Sequence, residues 1–162
     1  MRPAWPQLER PGSARRVWSA SKARFVGNIL GPCFERICRG WALWYADPET
    51  FGGLPARVGH GVVHDTENRK GYEVDVAVLG IPDGGKPPLL AIGEATWNEE
   101  IGPGHLERLR QIRRLVQQHG RYETSNVRLL LFSGVGFDDT ARTAAAEDDD
   151  IVLVDLGALS GR

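Results

Sequence analysis

The chain has 162 residues, 41% hydrophobic and 25% charged, with a formal net charge of -1, a balance that suits one globular domain with a substantial core. No run approaches the roughly 18 apolar residues of a membrane-spanning helix, and the opening Met-Arg-Pro-Ala-Trp-Pro lacks the apolar core of a signal peptide, so no membrane partner and a cytoplasmic location are expected. Cys33 and Cys38 are the only cysteines, and their spacing on a predicted helix points them to different sides, which argues against a disulfide framework or a thiolate zinc site.

Charge is unevenly spread. Residues 1–44 carry eight Lys/Arg against Glu9 and Glu35, and residues 105–128 carry six Arg against Glu107 and Glu123. The C-terminal quarter is acidic. Basic stretches beside a carboxylate cluster suit a phosphate backbone held near a metal, although charged solvated faces are the commoner explanation and arginine counts alone decide little.

Residues 1–18 have no stable period and read as a linker with Trp5 and Trp18 as isolated anchors. Ser19 or Ser21 is positioned to cap a short helix to Leu30, which Gly31-Pro32 interrupts, with Pro32 acceptable at the start of a new helix. Phe34, Ile37, Cys38, Trp41, Leu43, Trp44 and Tyr45 then give a broad apolar surface at helical spacing, predicting a deeply packed helix. Glu35 near its start is either a first-turn charge favoured by the helix dipole or a carboxylate directed at a site.

Val58 to His64 is a short strand candidate with His60, Val62 and His64 on one face; the two histidines lack a third ligand at a diagnostic spacing. Tyr72 to Leu79 alternates, so Glu73, Asp75 and Ala77 share one face while Val74, Val76 and Val78 share the other. Asp83 to Pro88 is turn-forming, and Leu89 to Thr96 is the next strand. A short connection favours an antiparallel hairpin, which brings Asp75 towards Glu94. Carboxylates crowded in an apolar sheet repel and lose hydration unless a cation, a proton or basic partners relieve them.

His105 to Gln118 is an amphipathic helix with Leu106, Leu109, Ile112, Leu115 and Val116 inward and Arg108, Arg110, Arg113 and Arg114 around the remainder; Gly120 stops it. Val127 to Phe132 is apolar throughout, as in a strand buried on both faces. A weak helix over Thr140 to Glu147 and a strand over Ile151 to Leu156 complete the order, predicting a mixed central sheet of four or five strands flanked by helices.

A helix with Glu, a strand with Asp and a strand with a second Glu, followed by helix and strand, resembles the PD-(D/E)xK nuclease superfamily, the restriction-endonuclease-like fold. More closely, the pattern is similar to the nuclease-like C-terminal domain of archaeal and bacterial ATPases of the AAA class. The resemblance rests on Gly31-Pro32-Cys33-Phe34-Glu35, Val58-Gly59-His60, Glu73-Val74-Asp75, Gly93-Glu94-Ala95-Thr96-Trp97 and Phe132-Ser133-Gly134-Val135-Gly136-Phe137. It spans about residues 25–159, giving a nuclease-like domain over 25–162 preceded by a linker or remnant tail over 1–24.

By that resemblance Asp75 and Glu94 are the metal carboxylates, holding Mg2+ or Mn2+, and Glu35 orients water or a second ion. The family's lysine falls at Thr96, which cannot supply its charge. Two functions are therefore carried forward: a divalent-metal-dependent phosphodiesterase on DNA or RNA, with Glu35, Asp75, Glu94 and Thr96 in the catalytic site, and a catalytically inactive nuclease-like module that binds nucleic acid or docks a protein. Paired structural acids are the plainest reading. The implied partners are nucleic acid through Arg108, Arg110, Arg113 and Arg114, an AAA-class ATPase, and a second copy in a homodimer, with part of the aromatic set Trp41, Trp44, Tyr45 and Phe51 as a docking surface.

Overall fold

The structure, a computed structural model, describes residues 14–161; Trp5 lies outside them. A helical rod opens it: α1 (Ala14–Phe25), a π-helical turn (Val26–Leu30) and α2 (Gly31–Trp44). Gly31-Pro32 does not interrupt this rod. Proline has no N–H for the carbonyl four residues back and its ring crowds that carbonyl; the preceding turn widens, and Gly31 N donates to Val26 O, a pattern typical of π-turns.

After a 3-10 turn (Pro48–Phe51) come β1 (Pro55–Asp65), β2 (Lys70–Gly80), β3 (Leu89–Thr96), α3 (Pro103–His119), β4 (Arg128–Ser133), α4 (Asp139–Glu147), β5 (Ile151–Val154) and the short α5 (Leu156–Leu159). The last predicted strand thus ends early. Asp155 accepts a hydrogen bond from Ala158 N and caps a helical turn instead.

The five strands form one sheet in the order β1-β2-β3-β4-β5. β1, β2 and β3 pair antiparallel, whereas β3–β4 and β4–β5 are parallel, because α3 and α4 return the chain to the same end. The predicted mixed sheet with flanking helices is what the chain forms. Leu106, Leu109, Ile112 and Val116 of α3 cover one face over Ile92, Leu129 and Leu131. Phe34, Cys38 and Ala42 of α2 cover the other over Val76, Val78, Leu130 and Phe132. β4 is accordingly buried on both faces, as its unbroken apolar run predicts.

Two expectations need correction. The apolar surface of α2 is narrower than its helical spacing suggests: Trp44 is 75% exposed and Tyr45 80%, because Phe34, Cys38 and Ala42 make the sheet contact, Trp44 lies about 200° around the helix from Ala42, and Tyr45 is the C-cap, where the helix has ended. Strict alternation also fails in β2. Gly59 pairs with Ala77 and Gly61 with Val74, so His60 of β1 stands opposite both Asp75 and Val76. This bulge moves Val74 to the α3 side while Val76 and Val78 remain on the α2 side. Bulges bend a strand and re-aim its side chains, often beside functional sites.

Candidate functional site at the Asp75–Glu94 corner

The bulge sets the direction of Asp75. The β2–β3 pairing reaches Val76↔Gly93, one residue short of Asp75 and Glu94, and Ala95 N donates to Asp75 Oδ2 at 2.9 Å. The hairpin geometry therefore brings Asp75 to the β3 segment that carries Glu94. Gly93 permits this close packing, since a Cβ there would stand 3.0 Å from Leu130 Cβ and 3.2 Å from Phe132 Cε2.

Glu35 reaches the same corner from α2. The helix is held there by Phe34, whose ring lies 5.3 Å from that of Trp97 just past β3, and by Trp41, edge-on to Phe132 at 5.8 Å. Arg39 lies 3.9 Å from Glu35 Oε2 and donates to the Asp75 carbonyl at 2.8 Å.

Arg108 of α3 closes the opposite side. Its Nη1 is 3.4 Å from Glu94 Oε1 and its Nη2 is 3.4 Å from the Glu73 carbonyl. The other Glu94 oxygen, Oε2, is buried without a hydrogen-bond partner among the described residues. Lys70, on β2, stands over the Tyr72 ring, 4.7 Å from its centroid.

Electrostatics follow from this crowding. Burial raises the Glu94 carboxyl above the usual carboxylate range, and Asp75 and Glu99 add to the effect while Arg108 and His105 oppose it. Burial also raises Asp75, with Glu73 adding, against the Ala95 N–H, Arg108 and Arg39. Glu35 is raised by burial and by Asp75 and Glu73, against Arg39 and His60. Cys38, packed on the sheet beneath, is pushed up to about 12 by burial first and Asp75 second, which makes it a filler and not a nucleophile.

The structure thus brings Glu35, Asp75 and Glu94 into one electrostatic neighbourhood, with Thr96 two residues beyond Glu94 on β3. Arg39 and Arg108 are its cations. Helical spacing placed Arg108 on the outer side of α3, but its alignment with the end of β3 is tertiary and has no local sequence signal. The other arginines of α3 are engaged within the chain or line its surface: Arg113 pairs with Asp150 at 3.5 Å and Arg114 with Glu107 at 3.0 Å, while Arg110 faces a shallow cleft beside Asp139 and Asp148. His60 and His64 are exposed on β1.

Among the described residues, no group of three or more His, Cys, Asp or Glu is arranged to hold a metal ion. The corner offers a smaller set, consisting of Asp75, Glu94 with its unpartnered Oε2, and the surplus of acid over base around them. That fits a hard cation such as Mg2+, which is commonly bound through one or two carboxylates with waters and phosphate oxygens completing its shell.

Five strands in mixed pairing, covered by α2 on one face and by α3 and α4 on the other, with acids at the corner where α2 and the β2–β3 hairpin meet, define a restriction-endonuclease-like α/β architecture. No family model matches the chain, and no curated protein matches it. Among solved structures it is similar to the MspJI restriction endonuclease in complex with a 27-mer oligonucleotide, at 16% identity and a TM-score of 0.48 over 93% of this chain and 31% of that one. The chain therefore spans about a third of the length of that enzyme. At that identity and overlap the likeness lends the corner none of the enzyme's chemistry.

Described residues contain no helix long and apolar enough to cross a membrane.

Proposed function

We propose that the chain is a nuclease-like nucleic-acid-binding domain that holds a phosphate at the Asp75–Glu94 corner without cutting it efficiently. The observation that carries this reading is the engagement of Arg108. Its guanidinium is committed to Glu94 Oε1 and the Glu73 carbonyl, while Thr96 takes, by the resemblance, the position of the family's lysine and carries no charge. Cleavage of a phosphodiester builds negative charge on the phosphorus oxygens, and preorganised positive groups aimed at that charge supply much of the acceleration. A guanidinium occupied by a carboxylate is poorly placed to do so.

Binding asks less of the corner. Asp75 and Glu94 would hold a divalent ion, with Glu35 adding negative charge behind them. Such an ion, when bound, neutralises phosphate charge and acidifies a coordinated water. The Thr96 hydroxyl can hydrogen-bond a water or a phosphate oxygen but provides no net charge. Contacts to phosphate fix position without reading sequence, so the domain is expected to bind DNA or RNA with little base preference at this corner.

Arg108 itself also supports a second reading. At 3.4 Å from Glu94 it brings to the site from α3 a positive charge that β3 lacks, and release of Glu94 to an ion would free that guanidinium for the phosphate. The protein would then be a slow, strictly Mg2+- or Mn2+-dependent phosphodiesterase.

The deciding experiment incubates wild type, Asp75→Ala and Thr96→Lys with supercoiled DNA, single-stranded DNA and RNA, with and without Mn2+, and measures binding of the same substrates by anisotropy. Binding without cutting by wild type, with cutting gained in Thr96→Lys, is the expected result. Cutting by wild type that vanishes in Asp75→Ala establishes the second reading. Absence of binding to all three substrates overturns both.

A further inference from the structure

A groove of about 510 Å³ lies between the β1–β2 hairpin and the C-terminal half of α3, outside the acidic corner. Its volume is within the range of roughly 300 to 1,000 Å³ usual for small-ligand sites. The floor is apolar, made by Val74, Leu79, Leu89, Ile92 and Val116, with the Tyr122 ring at the side. The bulge creates this floor, since it is what turns Val74 to the α3 face.

The charged side chains of the wall are of one sign. Arg57, Arg121 and the imidazoles of His60, His64 and His119 line it, and no carboxylate does. Among the described residues neither Arg57 nor Arg121 enters an ion pair. Asp65, the nearby acid that feels His119, gives its oxygens to Glu67 N, Asn68 N and Asn68 Nδ2 and so stays turned towards its own loop. A ligand complementary to this groove has a flat apolar body and an anionic group.

We propose that the groove receives one nucleotide, its base on the apolar floor beside Tyr122 and its phosphate against Arg57 and Arg121. The proposal rests on the reading that the chain binds nucleic acid and deepens it: the base-accepting groove favours a single strand over a duplex, since a base stacked between its neighbours in a duplex has no free face to offer. The same chemistry is available to a free nucleotide, and the test separates the two sources.

Three probes are titrated into the full chain: a single-stranded 12-mer, a 12-mer of abasic sugar-phosphate, and adenosine 5′-monophosphate. Wild type is compared with Tyr122→Ala and with the exposed double variant Arg57→Glu/Arg121→Glu, with circular dichroism confirming that each is folded. Loss of one base–aromatic contact corresponds to about a tenfold loss of affinity. The expected result is that the abasic strand binds wild type about tenfold more weakly than the 12-mer, and that Tyr122→Ala weakens the 12-mer to the same extent while leaving the abasic strand unchanged. The charge reversal should weaken all three probes. Equal binding of base-bearing and abasic strands overturns the groove proposal and leaves nucleic-acid binding standing. Binding of the mononucleotide alone, lost in both variants, keeps the groove as a free-nucleotide site and overturns the strand-binding function. Failure of every probe to bind overturns both.

Discussion

Arg108 lies against Glu94 across the gap between α3 and the end of β3, with Nη1 3.4 Å from Oε1, and the two differ sharply in exposure: the arginine side chain is 40% accessible and the glutamate 14%. The glutamate therefore depends on the pair more than the arginine does. Removing Arg108 leaves a largely buried carboxylate with one oxygen already unpartnered, whereas removing both leaves neither charge. Breaking a fully buried pair costs about 3–5 kcal/mol; half-exposure of the arginine screens the interaction, so Arg108→Ala is expected to cost about 1–2 kcal/mol. Arg108→Ala/Glu94→Ala should recover a good part of that loss in urea denaturation. A double variant as unstable as the sum of the single changes would show that the two groups do not interact.

The raised carboxyls give the corner a pH signature. For Glu94 the folded pKa exceeds the unfolded one, chiefly through burial. The native state therefore keeps a proton that the unfolded chain has released, and stability falls as pH rises from the unfolded value through the folded one. Asp65 and Glu123 act in the opposite direction, their carboxyls held low by the Asn68 and Ser125 side-chain hydrogen bonds first; their stabilising contribution is lost as pH falls. Only a comparison isolates the corner. Glu94→Gln should gain stability relative to wild type as pH rises above the unfolded glutamate value of about 4.3, with the difference closing at lower pH. A constant difference across that rise would mean that Glu94 is ionised as easily in the fold as in water.

Much of this arrangement was legible in the order of residues, because each pattern reports a local requirement. The apolar run of β4 follows from burial on two faces, and the 3.6-residue period of α3 from burial on one. The β2–β3 hairpin that joins Asp75 to the Glu94 segment follows from the turn-forming run between them. Beyond local periods the sequence is silent. Alternation in β2 predicted Val74 beside Val76, and the bulge separates them; the only local trace is the Gly59-His60-Gly61 triplet on the partner strand. Helical spacing likewise put Trp44 and Tyr45 on the packed surface of α2, with a docking surface as the alternative, since a hydrophobic residue at the end of a helix has the same letter whether or not a sheet lies beneath it.

The contrast between the aromatics is itself testable. Phe51 is 1% exposed and packs in the α2 cluster, so Phe51→Ala should cost about 3–5 kcal/mol. Trp44 is 75% exposed, and Trp44→Ser should fall within about 0.5 kcal/mol of wild type. A large loss from Trp44→Ser in dilute solution would show that this side chain is covered by something other than solvent.

Gly134 sets the end of β3. Its N–H donates to Thr96 O at 3.0 Å, and a Cβ there would collide with the Trp97 carbonyl and stand 2.8 Å from Trp97 Cε3. Relief requires moving backbone, and Trp97 is also the ring against which Phe34 holds α2. Gly134→Ala is thus expected to cost about 2–3 kcal/mol, at the upper end of overpacking effects, and to loosen Glu35 relative to Asp75. Urea denaturation reads the first effect. The second appears as increased amide exchange in the first turns of α2, and protection equal to wild type there would separate Trp97 from the positioning of Glu35.

Metal binding supplies the sharpest check on the role of Arg108, because a guanidinium and a divalent ion compete for the same glutamate. In the fold Arg108 faces Glu94 Oε1 and Ala95 N donates to Asp75 Oδ2, which leaves Glu94 Oε2 open to an ion, so an ion drawing on both carboxylates either takes that oxygen with the guanidinium charge beside it or displaces the arginine from Oε1. Calorimetric titration with Mn2+ should show binding to wild type that is lost or strongly weakened in Asp75→Ala and in Glu94→Ala. Arg108→Ala should act in the other direction. Removing a positive charge beside the ion is worth on the order of 1 kcal/mol in a partly screened site, or about fivefold in affinity. Unchanged Mn2+ affinity in Arg108→Ala, with binding still dependent on Asp75, would place the ion away from the Glu94–Arg108 pair. Weaker affinity would mean that the arginine orients Glu94 towards the ion instead of competing for it, the arrangement that favours cleavage over binding.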